Sequence, residues 1–244
     1  MQSNNPILTR AETYADYAEP MTVQGAIQKS VLLTVIAAVL GLGIFFYSFS
    51  TLNIGIAYAA AMVGAIGGLI LALITTFKPN TAPVLAIPYA FFEGAFLGGV
   101  SVIFQMKFPG VPLQALLATF VTTLVMFGLY RFQIIHATEK FKSVVMSATI
   151  AIALVFVVQF VMRLAFGSSI PFIFESNWLG LGFAAFVAVI ASLNLILDFD
   201  LIESAAAQRA PKAFEWLCGI ALLATLVWMY YSFMRLFSLL QGDD

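Results

Sequence analysis

One cysteine, Cys218, and one histidine, His136, are present in 244 residues. A single thiol excludes an intrachain disulfide and a thiolate metal cluster. Cys218 lies in an apolar stretch and reads as a packing residue. His136 falls in a loop, which leaves no imidazole for a zinc hydrolase site inside the apolar segments. It also leaves none to activate a serine or threonine there. No lysine sits in the middle of an apolar segment, so a retinal Schiff base has no attachment point. Charge is scarce as well, at 9% of residues with a net charge of −1, and nucleic-acid binding has no electrostatic support. No catalytic group and no cofactor are expected.

What the chain has instead is apolar length. Hydrophobic residues make up 62% of it and the mean hydropathy is +1.01. A helix needs ~20 apolar residues to cross a ~30 Å hydrocarbon core. Seven stretches reach that scale: Ser30–Phe49, Ile54–Phe77, Pro83–Met106, Val111–Tyr130, Ser143–Phe166, Trp178–Ile202 and Phe214–Leu240. The expected fold is an all-α integral membrane protein, a seven-helix bundle spanning residues 30–240. A polar tail precedes it (1–29) and a short one follows (241–244). Turn chemistry marks the breaks at Lys78-Pro79-Asn80, Phe108-Pro109-Gly110, Gly167-Ser168-Ser169 and Ala210-Pro211. The short loops predict antiparallel packing of consecutive helices.

The tail carries Asn4, Asn5, Glu12, Asp16 and Glu19 and lacks a secretory leader's basic start and apolar core. It is expected to be cytosolic and to end in a short interfacial helix capped by Thr22. With the N-terminus inside, Arg10, Lys29, Lys78, Arg131, Lys140, Lys142, Arg209 and Lys212 are cytosolic, against Lys107, Arg163 and Arg235 outside. Eight against three satisfies the positive-inside rule and puts the C-terminus outside. Gly64 with Gly68, and Gly94 with Gly98, form two GxxxG faces that let helix backbones approach closely.

Ionisable groups inside the spans are few, and each is costly in lipid. Glu93 lies about ten residues into the third span, ~15 Å along it and near mid-membrane. Pro88, five residues earlier, predicts a kink beneath it. A second cluster is Asp198, Asp200 and Glu203 at the end of the sixth span. At ~100° per residue, Asp198 and Asp200 point ~200° apart and cannot face one pocket, which argues against a di-aspartyl protease. Asp198 is expected about one turn inside the cytosolic interface, with Glu215 at nearly its depth on the seventh span. Two carboxylates there could share a proton or hold a cation. The plainer reading makes Asp200, Glu203, Arg209, Lys212 and Glu215 a solvated turn with loose ion pairs. Arg163 and Arg235 read as snorkelling to headgroups, Gln159 as an interhelical hydrogen bond, and Trp178, Trp216 and Trp228 as interface anchors or packing.

Three segments together resemble the bacterial branch of the Bax-inhibitor, or YccA-like, family. They are Glu93-Gly94-Ala95-Phe96-Leu97-Gly98-Gly99, Leu193-Asn194-Leu195-Ile196-Leu197-Asp198-Phe199-Asp200, and Ala210-Pro211-Lys212 with Glu215-Trp216. The resemblance covers about Met21 to Leu240. It implies six helices around a central seventh, and a pH-sensitive Ca²⁺ leak sensed by an aspartate pair on the sixth and seventh helices. Asp198 matches the first aspartate. The second position falls on Ser232, in Tyr230-Tyr231-Ser232, and the arginine latch of the family's second helix has no counterpart in Ile54–Phe77.

The expected function is a pH-modulated cation leak in a bacterial inner membrane, with Ca²⁺ as the first candidate ion. Asp198, Glu215, Glu93 and Asp200 would form the pH-sensing and ion pathway, with at most weak, transient Ca²⁺ at Asp198. Expected partners are the lipid bilayer, protons and Ca²⁺. The rival is a non-conducting protein that regulates a partner such as a membrane protease, its carboxylates serving as packing groups.

Overall fold

The computed structural model describes residues 19–51, 53–167, 170 and 177–242. Arg10, Ser168, Ser169 and the tail before Glu19 lie outside the described residues. Seven helices are long and apolar enough to cross a membrane. They are α1 (Val23–Ser50), α2 (Ile54–Phe77), α3 (Ala82–Lys107), α4 (Val111–Arg131), α5 (Glu139–Phe166), α6 (Trp178–Ala207) and α7 (Phe214–Gln241). A 3₁₀ turn, Pro79–Thr81, precedes α3.

The expected spans are all present, and three ends differ. The first spanning helix begins at Val23, so Thr22 caps that helix itself, and among the described residues no separate interfacial helix precedes it. Lys29 does not interrupt it, because its ammonium lies over the Trp216 ring at 4.7 Å. The fifth helix starts at Glu139 behind a Thr138 cap, with the glutamate in the first turn, where the helix dipole favours it. The sixth continues to Ala207, five residues past the expected Ile202, because partners on other helices satisfy its acidic residues. Helix α3 continues through Pro88.

Helix α7 lies at the middle of the bundle. Four helices, α1, α3, α4 and α6, pack directly on it, α2 reaches it through α3, and α5 rests on α6. Consecutive helices were expected to be neighbours throughout, but α4 and α5 make no substantial contact. Helix α4 is drawn against α7 and α6 instead, and residues 132–138 bridge the gap.

Small residues set the seams. Gly94 and Gly98 of α3 lie against the α1 backbone at Ala37 and Gly41, while Gly64 of α2 lies against the α3 backbone at Phe92 and Phe96. Both GxxxG faces are therefore used within the chain, holding α3 between α1 and α2. Tyr89, Leu33, Ala37, Ile220, Leu223 and Val227 fill the junction of α1, α3 and α7. Large apolar side chains cover the outer faces, as on Leu69, Phe120 and Leu154, which suits lipid contact.

Candidate functional site

The carboxylates occupy four separate places in the bundle. Asp198 of α6 lies beside α7, flanked by Cys218 and Thr225, which share a face two turns apart. The Thr225 hydroxyl is the polar group within side-chain hydrogen-bonding reach of its carboxyl. The residue is half-buried, yet its Oδ2 is sealed from solvent and has no hydrogen-bond partner. A buried carboxylate oxygen without a partner is rare, because desolvation goes uncompensated.

Asp198 lies further from the end of its helix than expected. Because α6 runs on to Ala207, nine more residues, ~14 Å of helix, separate Asp198 from its end. Glu215, the second residue of α7, therefore does not lie at its depth. Its carboxylate is 2% exposed and faces the start of α1. Its Oε1 accepts from the Thr22 backbone amide at 3.0 Å and from the Thr22 hydroxyl at 3.4 Å. A Cβ on Gly25 would overlap that carboxylate, so glycine is what leaves room for it. Among the described residues no hydrogen bond joins Glu215 to Asp198. Cys218 stands between the two, within electrostatic reach of both.

Glu93 is half-buried on α3, in side-chain hydrogen-bonding reach of Tyr89, with its Oε1 facing Gly68 of α2. Its neighbours are on α3 and α2, not on α6. Asp200 points away from Asp198, as the helical angle requires, and pairs with Lys142 of α5 at 2.7 Å. Glu203 accepts from the Tyr130 hydroxyl of α4 at 2.8 Å. These contacts tie α4, α5 and α6 together at the Thr22 end of the bundle.

Ser232 does not stand opposite Asp198. Its hydroxyl donates to Trp228 O at 2.8 Å, and it lines a small cleft with Phe156, Phe183 and Arg235. Arg235 is thus turned into the bundle rather than out to headgroups, whereas Arg163 is exposed. Gln159 accepts from the Ile170 amide at 2.8 Å, so it caps the chain after α5 rather than joining two helices. Trp228 packs between α5, α6 and α7, and Trp178 is exposed at the start of α6. Sequence reasoning missed Thr225. Its one available signal was a hydroxyl seven residues from Cys218 on the face that α6 covers. It also missed the buried bridge between Ser101 of α3 and Tyr230 of α7, whose oxygens lie 2.8 Å apart.

A seven-helix bundle with apolar outer faces and carboxylates set among its helices defines an integral membrane protein. The chain belongs to the Bax inhibitor 1 like family, whose model matches residues 5–242. A comparison with curated proteins gives no match.

Proposed function

We propose that the protein is a pH-modulated cation leak, with Ca²⁺ as the ion to test first and Asp198 as the sensor. The observation that carries this reading is the sealed, unpartnered Oδ2 of Asp198 between α6 and α7. A carboxyl in that position changes its surroundings when it gains or loses a proton, since no second hydrogen bond holds it in one state. Protonation would remove charge from the interface on which the central helix packs, a local electrostatic event with a readout in helix contacts. Glu93 and Asp200 would be secondary stations at most, each engaged by Tyr89 and Lys142 respectively. Glu215 would act through the Thr22 contact rather than by sharing a proton with Asp198. Ca²⁺ favours several oxygen ligands, and so few here favour passage over retention. The basic-residue distribution supports an N-terminus in the cytosol, and the resemblance to the bacterial branch of the family supports a bacterial inner membrane.

The test is Ca²⁺ flux into liposomes holding the purified protein, on both sides of neutral pH, beside Asp198→Asn. Flux that depends on pH in the parent and is independent of pH in the variant supports the reading. Flux no greater than in empty liposomes at any pH rejects it. The rival, a non-conducting protein that regulates a membrane partner such as a protease, draws support from Glu215, whose contacts are those of a helix clamp. It expects no flux, and it expects Glu93→Gln to act mainly on stability.

A further inference from the structure

The stretch from Glu19 to Thr22 is bound to the turn between α6 and α7 at every residue. Met21 N donates to Ala210 O at 2.8 Å and Lys212 N donates to Glu19 O at 3.0 Å. Between these bonds, Pro20 and Pro211 form an antiparallel bridge. The Glu19 carboxylate pairs with the Lys212 ammonium, and Thr22 N reaches Glu215. The Met21 side chain, 3% exposed, packs inward with Ala26 of α1, Ile202 and Ala205 of α6, and Cys218 of α7. Met21 therefore closes the outer side of the apolar cluster that buries Cys218, and Cys218 in turn flanks Asp198.

We propose that residues 19–22 are a latch that closes the α1–α6–α7 junction, and that its release opens the junction to water as far as Cys218 and Asp198. The attachment is built to be limited. Both bridge positions are prolines, which have no amide hydrogen to give. The bonds flank the bridge, making it a non-hydrogen-bonded pair where proline does no harm but the ladder cannot grow. Two backbone bonds to the turn, the Thr22 contacts to Glu215, one exposed ion pair and one inserted methionine hold the segment, while the helices behind it are held by long packed seams. Such a contact opens far more often than the bundle unfolds. The latch would give the acidic site a closure. Its effect on ions rests on the leak reading, whereas the closure itself is read without ions.

Cys218 is the sole thiol of the chain and serves as the reporter. The full chain in lipid nanodiscs is treated with a water-soluble maleimide, and the rate of Cys218 labelling is followed by mass spectrometry. Met21→Ser, which withdraws the cover, is expected to label about tenfold faster than the parent. In Pro20→Cys/Pro211→Cys, the ~4.5 Å Cα separation typical of a non-hydrogen-bonded pair permits a disulfide, and oxidation leaves Cys218 the only free thiol. The oxidised chain is expected to label more slowly than the parent, and reduction to restore the parental rate. Equal rates in the oxidised chain and the parent overturn the latch, even if Met21→Ser fails to fold. Slower labelling in a chain that passes no Ca²⁺ keeps the latch and counts against the leak alone.

Discussion

The carboxylate of Glu215 accepts the backbone amide of Thr22, 193 positions earlier, at 3.0 Å. Thr22 is the N-cap of α1, and its own hydroxyl accepts from Gly25 N at 2.9 Å. The first turn of the first helix is thus capped twice, once by its own threonine and once by the last helix. A helix N-terminus exposes four free amides, and an anionic group there is favoured by the dipole as well.

Gly25→Ala should therefore be costly although it only adds a methyl group. The new Cβ would overlap the Glu215 carboxylate, which cannot swing away without leaving Thr22. Overpacking of this kind costs about 1–3 kcal/mol. Thermal unfolding in detergent should show the loss, and Gly25→Ala combined with Glu215→Ala should lose less than the sum of the two. Strict additivity would mean that the two positions do not interact.

The glycine seams predict a sharp contrast between positions. A side chain at Gly64 would meet the α3 backbone at Phe92 and Phe96, while one at Gly128 meets nothing within 4 Å. Gly64→Val should drive α2 from α3 and give little folded protein. Gly128→Ala should be neutral or stabilising by about 0.5–1 kcal/mol, since alanine loses less backbone freedom. Yield after size-exclusion chromatography and the unfolding temperature decide it, and equal behaviour of the two variants would remove the seam as a determinant.

Asp198→Asn should leave stability within about 1 kcal/mol of the parent, because Oδ2 has no hydrogen bond to lose. A group kept for packing would behave otherwise, and a marked drop in unfolding temperature would favour the packing role of the rival reading. The same variant thus separates the two functions in a measurement that needs no ion.

The Glu19–Lys212 pair sets a pH dependence at the edge of the latch. The Lys212 ammonium, by its hydrogen bond and then its charge, holds the Glu19 carboxyl below the usual carboxylate range. The Glu19 carboxylate, in the same order, raises the Lys212 ammonium above its usual value. Glu19 then supports the attached state fully above the ordinary carboxylate pKa, and that support fades as pH falls through its lowered value. Lys212 supports it below the ordinary lysine pKa, and that support fades as pH rises through the raised one. Both groups are exposed, so the coupling is small. A double-mutant cycle of Glu19→Gln and Lys212→Met, read by unfolding temperature, should give a favourable coupling at neutral pH that vanishes in acid. A coupling that survives in acid would assign it to packing.

The seven helices were legible because hydrophobic length alone marks a crossing, and no tertiary partner is needed to read it. The family resemblance was legible for a related reason, its motifs being short contiguous runs. Helix ends were misread where polar residues belong to the helix but find partners far along the chain. Lys29 on Trp216, Asp200 on Lys142 and Glu203 on Tyr130 are three such cases. The depth of Asp198 then followed the misplaced end of α6. Glu215 was read as a candidate partner of Asp198 or as part of a solvated turn, and Thr22 could not be found as its partner from a separation of 193 residues. Thr225 looked like any threonine of an apolar helix until α6 set Asp198 beside it.

The join between Thr22 and Glu215 also bears on synthesis. Helix α1 is synthesised long before Glu215, so its start waits in the membrane without that second cap until α7 has begun. A chain released before residue 215 lacks Glu215, which meets Thr22, and Cys218, which shares the Met21 cluster. Such a product exposes an apolar segment beside an unsatisfied helix end, which is the kind of surface that quality-control machinery engages. Concealment of Met21 and the start of α1 therefore waits on the first turn of α7.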